Sequence, residues 1–126
     1  MDLLDALASN TFARSVLIRD SNRLVAMAAI RSPTISDDEV VKYAANRVLP
    51  QDVIRVIADT KEWTKLYAVK KHLVSNPKCP LPNAMRLLPL LHDKDIREIS
   101  KSRSVPSALV AQARHLLEAK DSAKRK

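Results

Sequence analysis

Glycine is missing altogether from the 126 residues. Glycine-rich phosphate loops, dinucleotide-binding turns and most two-residue hairpin turns rely on backbone conformations that other residues reach only at a cost, so those motifs are excluded. Cysteine is nearly missing too. Cys79 stands alone, so no internal disulfide forms, and a reducing, cytoplasmic setting is expected. Aromatic residues make up 3%, which leaves Phe12, Tyr43, Trp63 and Tyr67 as stacking platforms. Hydrophobic runs are short: the longest, Leu24 to Ile30, has seven residues, against roughly 20 for a membrane span. The acidic opening Met1-Asp2-Leu3-Leu4-Asp5 lacks the basic and apolar regions of a secretory signal.

What the chain does hold is apolar residues, at 46%, and positive charge. The length suits one domain, expected over residues 1–120, followed by a basic solvated tail at 121–126. Lys and Arg number 22 against 14 Asp and Glu, for a net charge of +8. Their distribution is uneven. Met1 to Glu62 carries 8 basic and 9 acidic residues, whereas Trp63 to Lys126 carries 14 and 5. An anionic partner is therefore expected at the carboxy-terminal half.

Apolar residues recur at helical spacing throughout, and no stretch reads as a strand. Leu3, Leu4 and Leu7 mark a first short helix, and Phe12, Val16, Leu17 and Ile18 a second. Asp20, Ser21 and Asn22 offer capping oxygens before a third, nearly apolar helix through Ile30, which is expected in the core. The strongest helix start is Ile35-Ser36-Asp37-Asp38-Glu39-Val40: Ser36 can cap the Glu39 amide, Glu39 can reach back, and the three acids suit the helix dipole. That helix is expected to stop at Asn46. Pro50 opens the next, and Asp59-Thr60-Lys61-Glu62 resembles a second capping box leading into one helix over Trp63 to Val74. Helices follow from Pro80, with Pro89 ending or kinking the segment, from Asp93 as a cap, and from Pro106. About nine short helices result.

The helix starts share a pattern, an apolar residue followed by serine or proline: Ile35-Ser36, Leu49-Pro50, Cys79-Pro80, Val105-Pro106. A shift of 44 residues aligns Asn22 to Ala45 with Leu66 to Pro89 without a gap, placing Val25 on Val69, Pro33 on Pro77, Ile35 on Cys79 and Ala44 on Leu88. The other spacings between helix starts, 14, 30 and 26 residues, depart from strict periodicity. On these residues the chain resembles an α-solenoid of the HEAT or armadillo kind. Its Ser32-Pro33 and Asn76-Pro77 helix ends also resemble the punctuation of the leucine-rich-repeat-variant proteins. The resemblance covers roughly Asn22 to Leu117 and implies an all-α fold, a short right-handed superhelix of about nine antiparallel helices with a binding face. It implies no particular ligand.

Catalytic chemistry has little to stand on. His72, His92 and His115 fall on three different helices without a second ligand one turn away, so neither a metal nor another cofactor is expected. Cys79 aligns with Ile35 and reads as a small buried hydrophobe. Asp37, Asp38 and Glu39 read as a solvated helix start, as do Asp93 and Asp95. A non-enzymatic role is expected.

The basic residues are the candidate site. Lys61, Lys65, Lys70 and Lys71 are expected on one helix, with Lys94, Arg97 and Lys101 at i, i+3, i+4 intervals along a later one and Arg103 just beyond. If alternate helices share a layer, the two rows merge into a positive ridge. Arg55, Arg86 and Arg114 on the intervening helices form a second row. The expected partner is an acidic protein surface or peptide. The alternative is DNA or RNA, contacted non-specifically through phosphates by the same side chains. The apolar amino-terminal helices, Leu3 to Ile18, are a candidate surface for a second copy of the chain.

Overall fold

Every bend is made without a left-handed residue: among the described residues no φ is positive. A chain with no glycine must turn by other means, and it turns four times with one five-residue linker. The computed structural model describes residue 7 and residues 9–124, and among these it contains nine α-helices and no strand. They are α1 (Thr11–Leu17), α2 (Arg23–Ile30), α3 (Asp37–Ala45), α4 (Gln51–Asp59), α5 (Lys61–Thr64), α6 (Tyr67–Ser75), α7 (Leu81–Leu87), α8 (Asp93–Ser100) and α9 (Ser107–Lys124), with a 3-10 turn at Leu88–Leu90. The all-α class expected from periodicity is thus observed. The helix expected around Leu3 and Leu4 lies outside the described residues, apart from Leu7.

The linkers occupy residues 32–36, 46–50, 76–80 and 102–106. In each, the first side chain accepts a hydrogen bond from the amide two residues on: Ser32 from Thr34 (3.4 Å), Asn46 from Val48 (3.0 Å), Asn76 from Lys78 (2.9 Å) and Ser102 from Ser104 (3.2 Å). Short polar side chains that bond their own backbone this way replace the conformational freedom of glycine. The fourth residue points inward: Leu49, Cys79 and Val105 are buried and Ile35 packs against the core. Pro50 and Pro80 are the N-cap residues of α4 and α7, at φ −57° and −56° with extended ψ, one position earlier than the first helical turn expected for them. Asn46 ends α3 in an extended conformation too.

Local signals hold at several starts. Asn22 caps α2 by accepting from the Leu24 amide, and Ser36 caps α3 by accepting from the Glu39 amide at 3.2 Å. Pro89 ends α7 as expected, in the 3-10 turn. Others differ. Thr60 makes no cap bond, because its hydroxyl donates back to the Val56 carbonyl. His92 takes the N-cap position expected of Asp93, which is the first residue of α8. The single helix expected over Trp63 to Val74 is two: Lys65 closes the one-turn α5, and Leu66 is extended before α6 begins. That break lets Trp63 and Leu66 reach the core beside α4 while Val69, Leu73 and Val74 enter it from α6. At the other end α9 runs through Lys124, so the segment expected as a tail begins as exposed helix.

Apolar burial forms one cluster running from Ile18 to Ala113. Each wholly buried leucine or isoleucine in it contributes about 1.5–3 kcal/mol. Around it α3 packs on α6, α6 on α8 and α7, α2 on α4, and α9 on α8 and α7. Tyr67, first in α6, meets His92 and Asp95 at the start of α8, so the starts of those helices lie together. Asn76 ties the ends of α3 and α6: its amide donates to the Ala44 carbonyl at 2.8 Å and to that of Asn46 at 3.1 Å.

Candidate functional site

Two buried polar clusters decide which charges are left exposed. In the first, Arg14 is 1% exposed. Its guanidinium grips Glu39 through two bonds of 2.6 and 2.7 Å and reaches the hydroxyls of Thr34, Thr11 and Ser32. The Tyr43 hydroxyl donates to the same carboxylate at 2.6 Å. Burial alone would raise the Glu39 carboxyl. The bonds from Arg14 and Tyr43, with the Ser36 amide, outweigh it and hold the group below its ordinary 4.5. Glu39 is therefore buried and paired, which corrects the expectation of a solvated helix start. Only Asp37 and Asp38 are exposed there.

This pairing turns α1 inside out. Arg14 and Ile18 face the core while Phe12, 79% exposed, and Val16 face solvent. Leu24 on α2 is exposed as well, but Ala26, Ala29 and Ile30 are buried, so α2 is the core helix its apolar content suggested. Arg14 turns inward because Glu39 and the 32–36 linker present hydrogen-bonding groups that only a polar side chain can satisfy.

The second cluster joins α6 to α8. Asp95 is 3% exposed, which corrects its reading as solvated. Its Oδ2 accepts from the Tyr67 hydroxyl, and its Oδ1 lies 3.6 Å from the Lys71 Nζ without a hydrogen bond. Tyr67 in turn accepts from the His92 amide at 2.9 Å, and the two rings stack at 4.2 Å. The Tyr67 bond, opposed by burial and aided by Lys71, lowers the Asp95 carboxyl below its usual range. Asp93, also on α8, is bridged by Lys120 of α9.

The predicted cations distribute accordingly. Lys61 and Lys65 lie on and just after α5, so they do not share a helix with Lys70 and Lys71. Lys70 is half-buried and donates to the Lys65 carbonyl at 3.4 Å, and Lys71 is held by Asp95. Lys94, Arg97 and Lys101 are exposed along α8 and its end, with Arg103 exposed in the next linker. Arg55, Arg86 and Arg114 are exposed on α4, α7 and α9, and Arg86 also donates to the Ala58 carbonyl at 3.3 Å. Sequence reasoning passed over Arg47 and Lys78. Both are exposed in linkers of the same design as Arg103's, a signal that the recurring polar first residue carries.

Other chemistry is sparse. His72 is half-buried and its imidazole is lowered by burial and by Lys71. Cys79 is buried, with its thiol pushed up to about 12 by that burial. Among the described residues no group of three His, Cys, Asp or Glu is placed to hold a metal, and no helix is long and apolar enough to cross a membrane. No protein-family model, curated protein or solved structure matches the chain.

Proposed function

We propose that the protein is a non-enzymatic adaptor that binds an acidic protein partner through the cations of its carboxy-terminal half. One observation carries this reading. Both aspartates of α8 are taken up by lysines of neighbouring helices, Asp95 by Lys71 and Asp93 by Lys120. Lys94, Arg97 and Lys101 are left outward against a single exposed acid, Glu98. The helix keeps its positive charge for something outside the chain.

The repeated linkers and the pairing of α3 with α6 support a short right-handed α-solenoid as the scaffold. A cytoplasmic setting fits the lone, buried Cys79 thiol. Non-specific phosphate contact by DNA or RNA is the competing use of the same cations, but the rings that could stack bases are already engaged or lie apart, with Trp63 packed half-buried against the core. Tyr43 is buried, Tyr67 is engaged with Asp95 and His92, and Phe12 lies on α1.

Titration with polyglutamate and with mixed-sequence DNA and RNA, across a range of salt, tests the reading. Polyglutamate binding that weakens in Lys94→Glu with Lys101→Glu, with melting unchanged, is expected. Binding confined to the nucleic acids, with a steep salt slope, overturns it in favour of phosphate contact.

A further inference from the structure

The outward face of α8 carries both signs of charge. Lys94, Arg97, Glu98 and Lys101 are exposed, while Asp95, Ile96, Ile99 and Ser100 between them are buried. Side chains three, four and seven positions apart on a helix share one side. Lys101, at the end of α8, still bonds its amide to the Glu98 carbonyl, so all four stay in register. Together they cover about 10 Å of helix axis. The face is not symmetrical. Asp95, three positions before Glu98, meets Tyr67 and Lys71 of α6, and Asp93, four before Arg97, meets Lys120 of α9. Glu98 therefore lies toward α6 and Arg97 toward α9.

Among the described residues none of these four side chains makes an ion pair. Glu98 has a lysine one turn away on either side. Yet Lys94 precedes it at i, i+4, the less favourable order on a helix, and Lys101 follows three positions on. Lys71, the α6 lysine that reaches α8, goes to Asp95 instead. A carboxylate that its own helix leaves unanswered, set among three cations equally unanswered, receives a uniform polyanion poorly. Any acid or phosphate laid beside it meets like charge.

We infer that Glu98 sets the specificity of this face, selecting an acidic segment that carries a lysine or arginine among its acids and turning away uniformly anionic chains. The partner's acids answer Lys94, Arg97 and Lys101, and its cation answers Glu98 on the side toward α6. The inference rests on the reading of the partner as an acidic protein. It adds the one feature that a phosphate backbone cannot supply, a positive charge of its own.

Fluorescence anisotropy at low salt tests it with three labelled probes: a polyglutamate peptide, a Glu-Glu-Lys-Glu repeat of the same length, and mixed-sequence single-stranded DNA. Glu98→Gln is expected to bind polyglutamate and DNA about threefold more tightly than the wild type, and the mixed repeat about threefold more weakly, the order of effect that one exposed charge contact supplies. Glu118→Gln makes the same change of net charge at an exposed position on α9 and is expected to tighten all three slightly. Net charge alone moves the three probes in one direction, so opposite signs single out Glu98. Glu98→Asp, which keeps the charge, should keep the wild-type order of affinities. Because Glu98 is exposed and unpaired, unchanged melting certifies the fold, and Glu98→Ala serves where Glu98→Gln melts early. Tighter binding of all three probes by Glu98→Gln, or no change in any, overturns the role of Glu98 while leaving an acidic partner standing. Failure of the wild type to bind either peptide removes both.

Discussion

Arg14 sets the chemistry of the amino-terminal end, since a guanidinium 1% exposed is tolerable only while Glu39 and the surrounding hydroxyls answer it. Removing one member of a buried ion pair strands the other. Arg14→Met is expected to cost about 3–5 kcal/mol in urea unfolding. Arg14→Met/Glu39→Leu should be less destabilised than Arg14→Met alone, and additive losses would show that the two charges are not coupled. Acid tests the same pair from another side. Glu39 and Asp95 are held below their ordinary 4.5 and 3.8 in the folded protein. Their stabilisation is complete above about pH 5 and is lost as pH falls through the folded-state values. Glu39→Gln should flatten part of that acid slope, measured as the unfolding midpoint against pH. Little of this is legible in the sequence: the capping pattern marks Glu39, but an arginine in an apolar-looking helix gives no sign that it turns inward.

Helices and their boundaries were more readable, because caps and prolines act over a few residues. Ser36, Asn22 and Pro89 behave as local chemistry dictates. The break at Leu66 is different in kind, since a continuous apolar stripe from Trp63 to Val74 fits either one helix or two that share a core. Tertiary packing settled it. The linkers carry the most specific prediction at this level. Asn76→Ala would leave the Ala44 and Asn46 carbonyls without their donor, and a loss of about 1–3 kcal/mol is expected in chemical denaturation. Hydrogen exchange should speed up at the ends of both α3 and α6; a change at α6 alone would count against the tie between them. Cys79, buried in the same linker, should resist thiol reagents until the protein unfolds.

Taken whole, the molecule divides its charges by burial rather than by sequence position. The excess of cations in the second half was plain from composition, but which of them face outward depended on Lys71 and Lys120 being drawn to α8. The amino-terminal end differs, with apolar Phe12, Val16 and Leu24 in solvent. Phe12→Ser with Val16→Ser is expected to change unfolding stability by less than about 0.5 kcal/mol, because neither side chain is in the core. A larger loss would mean that these residues are covered in solution, which sedimentation of the wild type would reveal as self-association.

The glycine-free joints have a consequence for whatever docks beside them. A bend pinned by its own side chain and anchored by an inward fourth residue has little room to swivel, so this protein offers a rigid template. A partner of the proposed kind would then do the adjusting, surrendering its own disorder on contact. Association of that kind is expected to be fast to reverse and easily tuned by adding or removing single charges on the incoming chain.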